Sequence, residues 1–111
     1  MTMLDLTPTQ LALVRGLLAG HVPDREVRAF GSRVTGRARR WSDLDLVVMG
    51  REALSDLALA HLRADLEDSD LPFRVDLLEA RDLPQTWTDG FESVSVPVYP
   101  ARPDPDGATP L

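Results

Sequence analysis

The chain has 111 residues, 43% hydrophobic and 27% charged, with a net charge of −6 and no cysteine. That size suits a single domain, and the missing cysteines exclude a disulfide framework or a thiolate metal site. The acidic balance argues against general nucleic-acid binding, no apolar run approaches the ~18 residues of a membrane helix, and the first ten residues lack a secretory pattern, so a cytoplasmic location is expected.

In chain order, Thr7-Pro8-Thr9-Gln10 opens a helix. Thr7 suits the cap, Pro8 the first helical position, and Gln10 completes a capping box. Leu11, Val14, Leu17 and Leu18 form its apolar stripe, and Gly20 is placed to end it. A short strand is predicted over Glu26–Phe30, then a brief helix after Ser32 that stops near Gly36. Leu44–Met49 is nearly continuous apolar sequence, the pattern of a central strand buried on both faces. Gly50 breaks it. A longer helix is predicted from Glu52 to Asp68, with Leu54, Leu57, Ala58, Leu62 and Leu66 at helical spacing.

Pro72 bars continuation, and Phe73–Leu78 reads as the next strand. Asp82-Leu83-Pro84 suggests another helix start, with Trp87 and Phe91 as apolar anchors. Glu92–Tyr99 fits an edge strand, the one position in a sheet that tolerates Pro97. These elements make residues 1–99 one α/β domain. Its mixed sheet is expected to carry helices on one face and the acidic residues on the other. Residues 100–111 hold four prolines and little apolar content, and are expected to form a disordered tail.

The chemistry concentrates in AFGSRVTGRARRWSDLDLVV, where Gly31-Ser32 is followed by ten residues and then Asp43-Leu44-Asp45. The flanking apolar residues put Gly-Ser at the exit of one strand and Asp-x-Asp at the entry of the next. Strand alternation turns Asp43 and Asp45 to the same face. Such carboxylates repel each other, and a hard divalent cation shared with phosphate oxygens resolves the conflict. Gly31 permits a tight turn and close approach of a ligand. Ser32 is placed to cap the following helix and to offer its hydroxyl and nearby N–H groups to phosphate. Asp76, amid apolar residues in the later strand, supplies a third carboxylate. The layout suits metal-assisted nucleotidyl transfer with two metal ions.

Each residue also has a plainer reading. Asp-x-Asp is often a solvated turn, Gly-Ser a simple strand-to-helix turn, and Asp76 could face water on an edge strand. Arg33, Arg37, Arg39 and Arg40 form a local basic cluster in an acidic chain. Arg33 is the first choice for phosphate contact and Arg39 the second. Ser42 suits a turn, Glu79 a solvated position on the face opposite Asp76, His21 and His61 the surface, and Trp41 and Trp87 packing.

The Gly31-Ser32, Asp43-x-Asp45 and Asp76 set resembles the DNA polymerase β-like nucleotidyltransferase superfamily. The short length resembles its minimal nucleotidyltransferase group, similar to the MntA-type antitoxins of HEPN/MNT toxin–antitoxin pairs. The resemblance implies that Gly31 and Ser32 bind triphosphate, that Asp43 and Asp45 are metal ligands, and that Asp76 is the third carboxylate, acting on the acceptor hydroxyl. It further implies Mg²⁺, ATP as donor, and transfer of AMP onto a tyrosine of a partner HEPN toxin. The residues alone leave two other readings open: a binding module that neutralises its partner by contact, and a transferase acting on a small molecule.

Overall fold

The computed structural model describes residues 4–50, 52, 54–85, 90 and 94–100. The first helix, α1 (Pro8–His21), begins as its sequence dictates. Thr7 accepts from the Gln10 N–H, the Gln10 side chain accepts from the Thr7 N–H, and Pro8 occupies the first turn. Gly20 does not end it; the helix runs through His21 and closes at Val22.

Strand β1 (Val27–Phe30) leads into the single turn of α2 (Ser32–Thr35), which Gly36 terminates in the left-handed conformation. Strand β2 (Leu44–Val48) follows, then α3 (Asp56–Glu67). The helix starts four residues later than Glu52 because Ser55 is the better cap: its hydroxyl accepts from the Ala58 N–H at 3.0 Å. Strand β3 spans Val75–Glu79, and β4 spans Val96–Tyr99.

The strands order β3-β2-β1-β4 in one mixed sheet. Strand β1 pairs antiparallel with β2 and β4, whereas β2 pairs parallel with β3. Strand β2 is therefore central, and Leu44, Leu46, Val47 and Val48 are all essentially inaccessible. Strand β4 is an edge, where Pro97 costs no ladder hydrogen bond to a further strand.

On one face, Val14 and Leu18 of α1 and Leu62 and Leu66 of α3 close over Val27, Ala29, Leu44, Leu46, Val48, Leu77 and Val98. Burial of these apolar side chains is the main force holding the helices to the sheet. Arg15 Nε adds a 2.8 Å bond to the Val98 carbonyl, and His21 Nε2 contacts Asp65 Oδ2 at 2.6 Å across the two helices. Alternation sends Phe30, Asp45 and Asp76 to the opposite face.

The third strand begins two residues later than expected. Phe73 instead packs in the core, with the Arg33 guanidinium 3.9 Å from its ring centroid. Glu79 is not simply solvated: its Oε1 accepts from the Leu54 N–H at 3.0 Å, tying the approach of α3 to β3. After β3 comes a short 3-10 turn, Ala80–Asp82. The further helix expected around Trp87 and Phe91, the start of the expected Glu92–Tyr99 strand, and the tail beyond Pro100 lie outside the described residues. Among the described residues no helix is long and apolar enough to cross a membrane.

Candidate active site

The site is assembled by strand register. Phe30, the last residue of β1, lies opposite Asp45 of β2, and Asp45 lies beside Asp76 of β3. Leu44 pairs with Val75, and the Leu44 N–H donates to the Arg74 carbonyl at 2.8 Å, so one step earlier Asp43 stands beside Arg74. Asp43, Asp45, Arg74 and Asp76 thus form a two-by-two array at the mouth of the only parallel strand pair in the sheet of described residues.

Gly31, the residue after β1, completes this array. Its φ of 84° and ψ of −155° fall in a region of backbone space essentially reserved for glycine. A Cβ built on Gly31 would lie 2.5 Å from Asp45 Oδ2. The glycine therefore serves two purposes: it makes the strand-to-helix turn, and it leaves the space the Asp45 carboxylate fills.

Ser32 is the first residue inside α2 and not its cap; Gly31 holds the cap position, without a side-chain bond. The Ser32 carbonyl accepts from the Arg37 N–H, while its hydroxyl forms no hydrogen bond among the described residues. Val34 and Thr35 both donate to the Gly31 carbonyl, and the preceding N–H groups of Ser32 and Arg33 have no backbone acceptor among the described residues. These donors and the free hydroxyl suit phosphate oxygens.

Burial raises the Asp45 carboxyl above the ordinary carboxylate range; the adjacent charges of Asp76 and then Asp43 raise it further, as does a carboxyl–carboxyl hydrogen bond with Asp76. A bound cation would reverse that balance by favouring the ionised forms. All the donors are hard carboxylate oxygens, the kind that magnesium accepts. Among the described residues, no three His, Cys, Asp or Glu side chains are already gathered closely enough to hold an ion.

Arg33 departs from the expectation of phosphate contact. Its side chain is 5% exposed and points back beneath the loop. Its Nε donates to the Ser42 carbonyl at 3.0 Å, Nη1 to Asp5 at 2.9 Å, and Nη2 to Arg39 at 3.4 Å and Arg40 at 3.2 Å. Arg33 holds the loop between Gly31-Ser32 and Asp43-x-Asp45 in place and ties it to Asp5, and all three of its guanidinium nitrogens are engaged. Linear sequence carries no signal of this, since all its acceptors are backbone carbonyls.

Arg39 stays exposed, and its side chain has no partner among the described residues; its N–H donates to Ser42 Oγ at 2.8 Å. Ser42 is accordingly a turn residue. Trp41 is not a packing residue: it is 63% exposed, with the Arg40 guanidinium 4.9 Å from its ring centroid.

Arg74 carries a role that its residue type alone did not suggest. Its Nη2 lies 3.5 Å from Asp76 Oδ1 and 4.0 Å from Asp43 Oδ2. The signal was its i, i+2 spacing from Asp76, which puts both side chains on one face of a strand. Beside this array opens a cleft of about 620 Å³, lined by Asp45, Asp76, Arg63, Glu67, Arg74 and neighbouring residues of β3. A cleft that ends on paired carboxylates can present an acceptor group to them.

Residues 13–96 match the family described as nucleotidyltransferase domain. The chain is 49% identical over 96 residues to the probable protein adenylyltransferase MntA of Haemophilus influenzae, covering 86% of this chain and 81% of that protein. Among solved structures it resembles a toxin–antitoxin complex with AMP-PNP at a TM-score of 0.65 and 23% identity, over 80% of this chain and 72% of the other. A complex of tri-AMPylated Shewanella oneidensis HEPN toxin with MNT antitoxin is similar at a TM-score of 0.55 and 21% identity, over 80% and 71%.

Proposed function

Because this chain belongs to the nucleotidyltransferase domain family, we propose that it transfers AMP from ATP to a tyrosine hydroxyl of a partner HEPN toxin and so acts as that toxin's antitoxin. The reading rests above all on one observation: Asp45 and Asp76 lie side by side in register, and the Gly31 turn abuts Asp45. The relative at 49% identity is named a probable protein adenylyltransferase, which supports a protein acceptor. ATP as donor also favours a cytoplasmic site of action.

In this reading the Ser32 hydroxyl and the first N–H groups of α2 hold the triphosphate. Asp43, Asp45 and Asp76 are the residues that would hold Mg²⁺. When bound, the metal supplies charge neutralisation at the triphosphate and polarisation of the α-phosphorus. Asp76, on the strand that borders the cleft, orients the acceptor hydroxyl and takes its proton on a carboxylate oxygen. The acceptor oxygen bonds to the α-phosphorus, the bond to the β-phosphate oxygen breaks, and pyrophosphate leaves. The chain's own contribution is alignment of these groups and stabilisation of charge.

Arg33 supports the same geometry from below, since the loop it clamps carries Asp43. Arg39, exposed on that loop, remains the available arginine for a phosphate. The test is incubation of the purified chain with a HEPN-type toxin, labelled ATP and Mg²⁺. Label on a toxin tyrosine, lost in Asp43→Asn, is the expected result. A toxin neutralised without any label would favour neutralisation by contact alone.

A further inference from the structure

Arg74 is the one cation that pairs with the acidic array among the described residues. It comes from the strand that supplies Asp76, two residues earlier, and reaches across to Asp43 on the neighbouring strand. Its guanidinium therefore bridges two of the three carboxylates assigned to the metal. The third, Asp45, lies directly beside Asp76 in the strand register.

We propose that Arg74 is an internal counter-cation: it pairs with Asp43 and Asp76 before metal binds and must leave them when metal enters, so that this exchange sets the affinity for the ion. The inference rests on the metal reading of the site. Two features carry it further than an ordinary surface ion pair. Without Arg74, three carboxylates on adjacent strands would face each other with no compensating cation among the described residues, and like charges at that range repel. The arginine is also 72% exposed, so releasing it breaks no packing. It lines the cleft beside β3, where Glu67 stands as another carboxylate to which it could turn.

A bridge of this kind offsets part of the negative charge of the apo site. It also imposes competition, because guanidinium and metal need the same oxygens. Arg74 is thus a positioning residue for the carboxylates, and the reading differs from a structural one in the sign of its effect: removing the arginine should improve metal binding.

The test is a calorimetric titration of the full chain with Mn²⁺, without nucleotide or partner, on wild type, Arg74→Gln and Arg74→Lys. Arg74→Gln is expected to bind Mn²⁺ roughly three- to tenfold more tightly, the scale of a solvent-screened unit charge about 4 Å from a divalent ion. Arg74→Lys, which keeps the charge, should stay nearer wild type. Melting curves provide a second readout: Arg74→Gln should melt lower without metal and gain more on adding Mn²⁺. If wild type binds Mn²⁺ and Arg74→Gln binds equally or less tightly, the counter-cation role is overturned while the metal site stands. Matching behaviour of the Lys and Gln variants would overturn it as well. Absence of Mn²⁺ binding in wild type and variants alike would overturn both this role and the metal reading.

Discussion

The α-carbon of Gly31 faces the carboxylate of Asp45 so closely that a methyl group there would lie 2.5 Å from Oδ2. Gly31 directly follows β1 and Asp45 lies on the neighbouring β2, and the antiparallel register that sets Phe30 against Asp45 forces the approach. Backbone freedom and side-chain space are demanded at the same atom, so no other residue type satisfies both.

Gly31→Ala should therefore be costly. The backbone conformation alone is worth about 1–3 kcal/mol, and the displaced Asp45 carboxylate adds to it. Chemical denaturation should show a loss in that range or above. Nucleotidyl transfer should fall further than the unfolded fraction explains, since Asp45 must move. A variant with wild-type stability and activity would contradict this geometry.

Asp45→Asn should abolish transfer and stabilise the metal-free protein at neutral pH. The Asp45 carboxyl binds its proton more tightly in the folded chain than when unfolded, because of burial and the adjacent carboxylates. Its contribution to stability is therefore full in acid and is lost as pH rises through the raised titration. The amide has no such loss. Melting curves without metal, taken from about pH 4 to about pH 8, should show the advantage of Asp45→Asn growing with pH. A constant or shrinking advantage would remove the assigned cause.

Arg33→Ala should cost stability through unpaired backbone. Three carbonyls, those of Asp5, Ser42 and Arg40, would lose the donor that Arg33 supplies, while the Arg39 carbonyl would keep its bond from the Ser42 N–H. A loss of about 2–4 kcal/mol is expected by urea denaturation. Arg33→Lys should rescue little, because an ammonium cannot span the same fork of acceptors. If Arg33 were instead a phosphate ligand, the alanine variant would keep its stability and lose only ATP affinity.

Asp76→Asn and Ser32→Ala should separate the two substrates. Asp76 borders the cleft and is assigned to the acceptor as well as to the metal, so its amide variant should lose transfer but, with Asp43 and Asp45 intact, lose less Mg·ATP affinity than Asp45→Asn. Ser32→Ala should weaken ATP binding by several-fold, roughly the worth of one hydrogen bond, because the first-turn N–H groups remain. Calorimetric ATP titration with single-turnover transfer distinguishes them. Normal transfer by Asp76→Asn would leave only the Gly31-Ser32 turn and Asp43-x-Asp45 in the machinery.

Local interactions made much of this protein legible in its sequence. The capping box links Thr7 to Gln10 three residues on, Gly36 ends a one-turn helix, and the nearly continuous apolar run at Leu44–Met49, interrupted by Asp45, marks a central strand. The Gly31-Ser32 turn and the alternation of Asp43 and Asp45 at a strand entry were likewise legible, because they are short-range properties, and the ten-residue spacing between them carried the resemblance to nucleotidyltransferases. Tertiary structure decided the rest. Only the parallel pairing of β2 with β3 brings Asp76 beside Asp45, and only that pairing sets Arg74 against Asp43. Arg33 illustrates the same limit from the other side. Next to Ser32 in sequence, it looked suited to phosphate, yet burial against Phe73 and distant carbonyls turned it into a support for the loop. An arginine goes where its charge and five donors are best satisfied, and those acceptors were set by backbone packing that no linear spacing reports.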